Sequence, residues 1–292
     1  MSDIEQQIQE VEREEDMLRA AAEYAGDDQI VTSVEHQKVL DAQPRYPSIY
    51  TKIPSLDKAC EGFRPGELII VSGPTGQGKT TFLQTLTYSF AEQEVTPLWF
   101  SFEVSAADLF ERFGSRLPYF TLPQQNKEGT AWLAAKIWEA KAKYNAQVVF
   151  VDHLHFLLSF ADLAKANTSV VVGAIIRDVK RIAIETRTTI FLVSHIKKIA
   201  DIEKPSINDL RDSSFIAQES DFVLMTYRVK ESDKYTNQNM LIIEKNRRTG
   251  SLESIRLVYD KPIGRFREFG TVSPGPITPL IDLTPDKDHY DA

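Results

Sequence analysis

Cysteine is all but missing from this chain of 292 residues. The single thiol, Cys60, cannot close an internal disulfide, so a reducing compartment is expected, with Cys60 as a small buried hydrophobe. Long apolar runs are also missing. None nears the ~20 residues of a membrane helix, and the opening MSDIEQQIQE is too acidic and polar for a secretory signal. No internal repeat is present. Basic charge is in deficit, with 34 Lys and Arg against 42 Asp and Glu, net −8. That balance excludes nucleic-acid binding driven by the surface as a whole. The deficit is uneven, however. Residues 1–45 carry 12 acidic and 4 basic side chains, and residues 271–292 carry four Asp and one Lys. The middle, 46–270, holds 26 acidic and 29 basic residues and leaves room for a local basic lining.

What is present is a hydrophobic content of 42%, enough for a sizeable core. Residues 2–25 read as a helix, because Ile4, Ile8, Val11, Leu18 and Ala22 recur at helical spacing between Glu, Gln and Arg. Its narrow apolar stripe leaves two readings open: a solvated arm, or a helix that docks on a neighbouring subunit. Residues 41–55, with three prolines, read as a linker. Strands and helices then alternate. ELIIVSG, PLWFSFE, QVVFVD, TIFLVSH and DFVLMTYR read as strands; Lys79–Gln93, Ala106–Arg116, Thr130–Tyr144 and Val170–Thr186 read as helices. Continuous apolar strands separated by helices predict a mainly parallel sheet covered on both faces. From Met240 onward, MLIIEKNRR, ESIRLVYDK and RFREFG, joined by turns at Thr249-Gly250 and Pro262–Gly264, predict an antiparallel extension. The tail after Gly270, rich in Pro, Thr and Asp, is expected to be flexible.

The chemistry begins at Gly73-Pro74-Thr75-Gly76-Gln77-Gly78-Lys79-Thr80-Thr81, which contains G-x-x-x-x-G-K-[ST] in full, after a strand and before a helix. The glycines turn backbone N–H groups toward phosphates, and the helix start adds the positive end of its dipole. Lys79 is expected to reach the outer phosphates of ATP, and Thr80 to offer a hydroxyl to Mg²⁺. Asp152, closing VVFVD, fits the second metal contact at the carboxyl end of a parallel strand. Glu103, closing PLWFSFE, is placed to orient an attacking water. His195, closing TIFLVSH, is placed to sense the terminal phosphate. His153 and His155 alternate after Asp152 and read either as packing and positioning groups or as a metal pair.

Taken in order, SLDKACEGFRPGELIIVSGPTGQGKTTF, LWFSFEVSAADLFERF, VVFVDHLHFLL, FLVSHIKK, DLRDSSFIAQESDFVLMTYR and IIEKNRRTG resemble the ATPase domain of DnaB-type replicative helicases. GPTGQGKTT, LWFSFE and EKNRRTG look most like the Twinkle branch. The resemblance covers roughly 48–270 and does not extend to a primase or primase-binding domain, for which residues 1–45 are too short. It implies a RecA-like fold, and with the residue pattern it gives three segments: an acidic helical arm and linker at 1–45, the ATPase domain at 46–270 and a flexible acidic tail at 271–292. It implies a homo-oligomeric, hexameric ring that uses ATP and Mg²⁺ to move 5′ to 3′ along single-stranded DNA. A primase or loader is the implied partner, and the cytoplasm of a bacterial or phage-infected cell the implied location, with the mitochondrial matrix as the alternative.

By residue, the resemblance makes Glu103 the catalytic glutamate, His195 the sensor and Arg112 a group that packs on the base. Lys245 and Arg247 become a pair that reaches a neighbour's γ-phosphate; Arg248 competes for the role, and the family's K-x-R spacing favours Arg247. Arg211, Asp212 and Ser214 become DNA-backbone contacts, with Lys197 and Lys198 as further candidates or plain surface lysines. Ser214-Phe215 stands where family members often carry Gly, so Phe215 is a candidate for burial. Two other readings share the fold: a RecA/RadA-like recombination ATPase, and a clock-like ATPase that acts on a protein.

Overall fold

A computed structural model describes residues 3–26, 28–42, 47–114, 117–157, 168–196, 204–210, 213–232 and 234–271. The chain divides into two compact units, Met1–Tyr46 and Pro47–Ala292. The first holds two helices, α1 (Asp3–Ala22) and α2 (Ser33–Ala42). The second of these is absent from the sequence reading. Its signal is Thr32 with Glu35 three residues on: the Thr32 Oγ1 accepts from the Glu35 N–H (3.2 Å), and a Glu35 carboxylate oxygen accepts from the Thr32 N–H (2.8 Å).

The second unit runs α3 (Pro54–Cys60), β1 (Leu68–Ser72), α4 (Lys79–Ala91), β2 (Thr96–Ser101), α5 (Ala106–Phe113), α6 (Thr130–Tyr144) and β3 (Ala146–Asp152). It continues through α7 (Thr168–Thr186), β4 (Thr189–Val193), α8 (Ser213–Glu219), β5 (Phe222–Glu231), β6 (Lys234–Asn246), β7 (Ser254–Asp260) and β8 (Arg265–Glu268). The eight strands form one sheet in the order β2-β3-β4-β1-β5-β6-β7-β8. The first five are parallel, and β6 to β8 add on antiparallel. No helix among the described residues is long and apolar enough to cross a membrane.

The continuous apolar runs follow from burial on both faces. In β1, Ile69 and Val71 enter one core with Phe82, Leu83 and Leu86 of α4, while Leu68 and Ile70 enter the other with Ile176, Val179 and Ala183 of α7. β3 and β4 divide in the same way. A strand with two buried faces has no polar side to alternate. Aromatics fill the first core, where the Phe63 ring meets Phe191 and Phe222 edge to face, each at 5.2 Å.

The expected linker is partly structural. Ile49, Thr51 and Ile53 are buried. One Asp57 oxygen accepts from the Thr51 N–H and hydroxyl (both 2.7 Å), and the other from the Lys52 N–H (2.9 Å). Cys60 lies in α3 with its thiol pushed up to about 12 by burial, an inert group.

Candidate functional site

Four parallel strands deliver the candidate residues to one end of the sheet: β1 the phosphate loop, β3 Asp152, and the segments after β2 and β4 Glu103 and His195. The chain leaves β1 for the edge strand β2, works back through β3 and β4, and then passes to β5 on the other side of β1. Ligands settle at such a reversal, outside the carboxyl ends of the strands. Two expectations need correction. Neither Glu103 nor His195 ends a strand; β2 stops at Ser101 and β4 at Val193, so each lies two residues beyond, in irregular backbone. There the side chains are freed from the alternation of the ladder.

The loop from Gly73 to Gly78 is held from below by the antiparallel extension. The Gln77 side chain accepts from the Arg228 N–H (2.8 Å) and donates to the Tyr235 hydroxyl (3.0 Å), and the Gln77 carbonyl accepts from Asn239 Nδ2 (2.7 Å). Thr226, Arg228, Tyr235 and Asn239 lie in β5 and β6, far away in sequence, and no local signal announces them. Gly73 has φ of +142°, and a Cβ there would lie 2.0 Å from the Thr226 carbonyl oxygen. Gly73→Ala is therefore expected to lower the melting temperature, by at least about 1 kcal/mol of stability, and to weaken nucleotide binding in the same calorimeter. Pro74, Thr75 and Gly76 form the open rim of the loop, and Thr81 follows Thr80 in the first turn of α4.

Lys79 is buried and folds back onto its own loop, donating to the carbonyls of Gly73 (2.9 Å) and Pro74 (3.0 Å). Burial lowers its pKa below the ordinary lysine value, while Asp152 and Glu103 pull it back up. The Thr80 hydroxyl donates to Asp152 Oδ2 at 2.9 Å. Asp152 is 3% exposed, and its Oδ1 has no hydrogen-bond partner among the described residues. Burial raises its carboxyl above the ordinary value; the Thr80 bond and the charges of Lys79 and Arg112 oppose this, and Glu103 adds to it. An orphaned carboxylate oxygen beside a threonine hydroxyl suits a hard cation with oxygen ligands, so these residues fit Mg²⁺. Arg112 stands exposed in the last turn of α5.

His153 and His195 meet edge to face, with ring centroids 4.3 Å apart. The Glu103 carboxylate joins them: one ligand atom from each of the three lies within 4.8 Å of the others. Of the His153 and His155 pair, therefore, His153 faces the site region; the His155 side chain lies outside what the structure describes. Sequence reasoning has no means to pair His153 with His195, since they come from separate strands.

The basic turn sorts itself clearly. Arg248 is 14% exposed, pairs with Glu67, and donates to the carbonyls of Cys60 (2.5 Å) and Gly62 (2.9 Å). Arg247 is 62% exposed and makes a loose ion pair to Asp221 at 3.7 Å. Lys245 donates to the Ser220 carbonyl, and burial lowers its pKa. Both Lys245 and Arg247 lie at the wrong end of the sheet for their own phosphate loop. Arg247 N–H donates to the Asp221 carbonyl, and Asp221 N–H to the Leu68 carbonyl, both at 2.9 Å. That level is roughly 16 Å from Gly73 along β1, at about 3.3 Å per residue.

Arg211, Asp212, Lys197 and Lys198 lie outside the described residues, as does the Ser214 side chain. The segment read as a loop contains α8, with Ser214 in its first turn. The Phe215 ring packs over Gly173 of α7, where an added Cβ would meet it at 2.6 Å.

Comparison with known proteins bears on the family and the fold. Residues 48–125 and 119–268 match the family model described as DnaB-like helicase C terminal domain. The chain is 26% identical over 256 residues to a probable replicative DNA helicase of Trieres chinensis, covering 73% of this chain and 56% of that one. It is 24% identical over 261 residues to the replicative DNA helicase DnaB of Mycoplasma pneumoniae, covering 73% and 55%. It thus spans about half the length of these curated relatives. A solved ATPase domain superposes with a TM-score of 0.67 at 17% identity, covering 80% of this chain and 95% of that one. A DnaB-like replicative helicase studied with primase superposes at 0.66 and 18%, covering 86% and 70%. With a RecA-like sheet, a complete phosphate loop and a family match over most of its length, the chain belongs to the DnaB-like helicase C-terminal domain family.

Proposed function

We propose that this chain is the motor of a ring-forming replicative DNA helicase. ATP binds at one subunit's Gly73–Thr81 loop, and Lys245 and Arg247 of the next subunit complete the site. Lys79 and the loop N–H groups hold the phosphates, Glu103 orients the attacking water, His195 reports the state of the γ-phosphate, and Arg112 packs on the base. Mg²⁺, held through Thr80 and Asp152, would neutralise phosphate charge. The observation that carries the reading is the placement of Arg247, exposed and roughly 16 Å along the sheet from its own loop yet open to another chain. A site completed head to tail propagates, and closure of that arrangement makes a ring.

Hydrolysis would then shift the segment 208–221, ahead of β5, against single-stranded DNA, driving 5′ to 3′ movement and strand separation. Arg211, Asp212 and Ser214 are the proposed backbone contacts. Six copies of one arginine suffice for a charged lining, which reconciles DNA binding with the net charge of −8. A primase or loader is the proposed partner and the cytoplasm the proposed location. Residues 1–45 serve as an arm and 271–292 as a tail.

The deciding experiment uses duplexes with a single-stranded tail of either polarity, with and without ATP, while light scattering reports subunit number. Unwinding of one polarity by a ring supports the reading. A monomer that turns over ATP at full rate, indifferent to DNA, sinks it, and filaments would favour a recombination role. Arg211→Ala should lower single-strand affinity and flatten the salt dependence by about 0.7 in log–log slope for each phosphate no longer gripped. Fluorescence anisotropy at two salt concentrations measures both.

A further inference from the structure

Beside the oxygen-only pair Thr80 and Asp152 lies a set of different chemistry. Glu103, His153 and His195 come from just beyond the ends of three neighbouring strands, β2, β3 and β4. Their ligand atoms gather within 4.8 Å of one another. The two rings stand edge to face with an interplanar angle of 81°, so their nitrogens are offset rather than stacked. Glu103 is exposed and sits in a bend, able to swing by the ångström or so that closing the set requires. Two imidazoles and one carboxylate leave a fourth position open, the pattern of zinc sites with an exchangeable ligand.

We propose that Glu103, His153 and His195 form a binding site for Zn²⁺ or another imidazole-preferring first-row divalent cation, separate from the Mg²⁺ position, and that its occupancy stops hydrolysis. The selectivity follows from ligand type. Magnesium takes oxygens and gives up its waters reluctantly, whereas imidazole nitrogen favours zinc and its neighbours in the first row. The two cations therefore do not compete for one set of ligands. The inhibitory half rests on the reading of Glu103 as the water-orienting group: a carboxylate bound to zinc has its charge neutralised and its orientation fixed by the ion, which makes it a far weaker base toward the water. The site would act as a brake read by free zinc rather than by nucleotide.

The test titrates zinc chloride into the full chain without nucleotide, in buffer containing magnesium, and follows binding by calorimetry. Cobalt(II) then serves as a coloured stand-in whose visible absorption reports tetrahedral coordination. One ion per chain is expected, with affinity reduced roughly tenfold or more in Glu103→Gln and in His153→Ala and unchanged in His36→Ala. Circular dichroism confirms that each variant is folded, and the exposed Glu103 makes its variant the safer of the two. Absence of a bound ion, or binding equal in all variants, overturns the site. A second arm measures ATP turnover with zinc added and then chelated. Reversible loss supports the brake. Stoichiometric binding with unchanged turnover overturns the brake and the assigned role of Glu103, while the metal site itself stands.

Discussion

Arg247→Ala is expected to cut ATP turnover by roughly 10³–10⁵-fold, the range of a transferred arginine finger, with nucleotide affinity and melting temperature both preserved. The side chain is 62% exposed and its ion pair to Asp221 is loose, so its removal costs the fold little. Arg248→Ala should do the reverse. It takes the counter-charge from Glu67, 14% exposed, which among the described residues keeps only the Arg64 N–H (2.6 Å) on its other oxygen, and removes the Arg248 donor from the carbonyls of Cys60 and Gly62. Breaking such a pair from one side costs about 3–5 kcal/mol. The variant is expected to unfold at markedly lower denaturant, and any surviving folded fraction should still turn over ATP. Denaturant melts and steady-state kinetics on the two variants separate the roles. A stable, inactive Arg248→Ala beside an active Arg247→Ala would reverse the assignment.

Lys79→Ala is expected to lower turnover by roughly 10²–10³-fold or more, as when a donor to developing transition-state charge is removed. The fold should survive, since the partners of Lys79 Nζ are two carbonyls of the phosphate loop itself, those of Gly73 and Pro74. The more telling experiment mixes this variant with Arg247→Ala. Each alone is inactive. In a mixed ring, an Arg247→Ala subunit offers an intact phosphate loop to an intact Arg247 on its Lys79→Ala neighbour. Random mixing of equal amounts rebuilds about a quarter of the interfaces, so activity should return on mixing. Recovery requires that loop and arginine come from different chains. If both variants are dead and the mixture stays dead after subunit exchange, the shared-site reading falls.

Much of this is legible in the sequence, for identifiable reasons. The phosphate loop is contiguous, and its chemistry demands Gly, Lys and Thr at set spacings. β1, β3 and β4 announce themselves because burial on both faces forces unbroken apolar runs, and α6 is legible to the residue at both ends. The failures are equally physical. α2 escapes notice because it is short, lies beside a proline-rich stretch and presents no buried face. Residues 49–53 read as linker, whereas Asp57 clamps their backbone from α3. Glu103 and His195 read as strand because of their apolar predecessors, although the ladder stops two residues earlier.

The sequence by itself determined the class of the protein: a parallel sheet, a phosphate loop on its first strand, and acidic and basic groups suited to ATP. These rest on local pattern and covalent neighbourhood, which a linear reading can see. Only the tertiary structure buried Arg248 against Glu67 while leaving Arg247 exposed at the far end of β1 from its own phosphate loop, drew Glu103, His153 and His195 together, and set β5 and β6 beneath the loop through Gln77. Each of those outcomes depends on strand order and register, and pairings between segments distant in the chain carry no local periodicity from which they could be read.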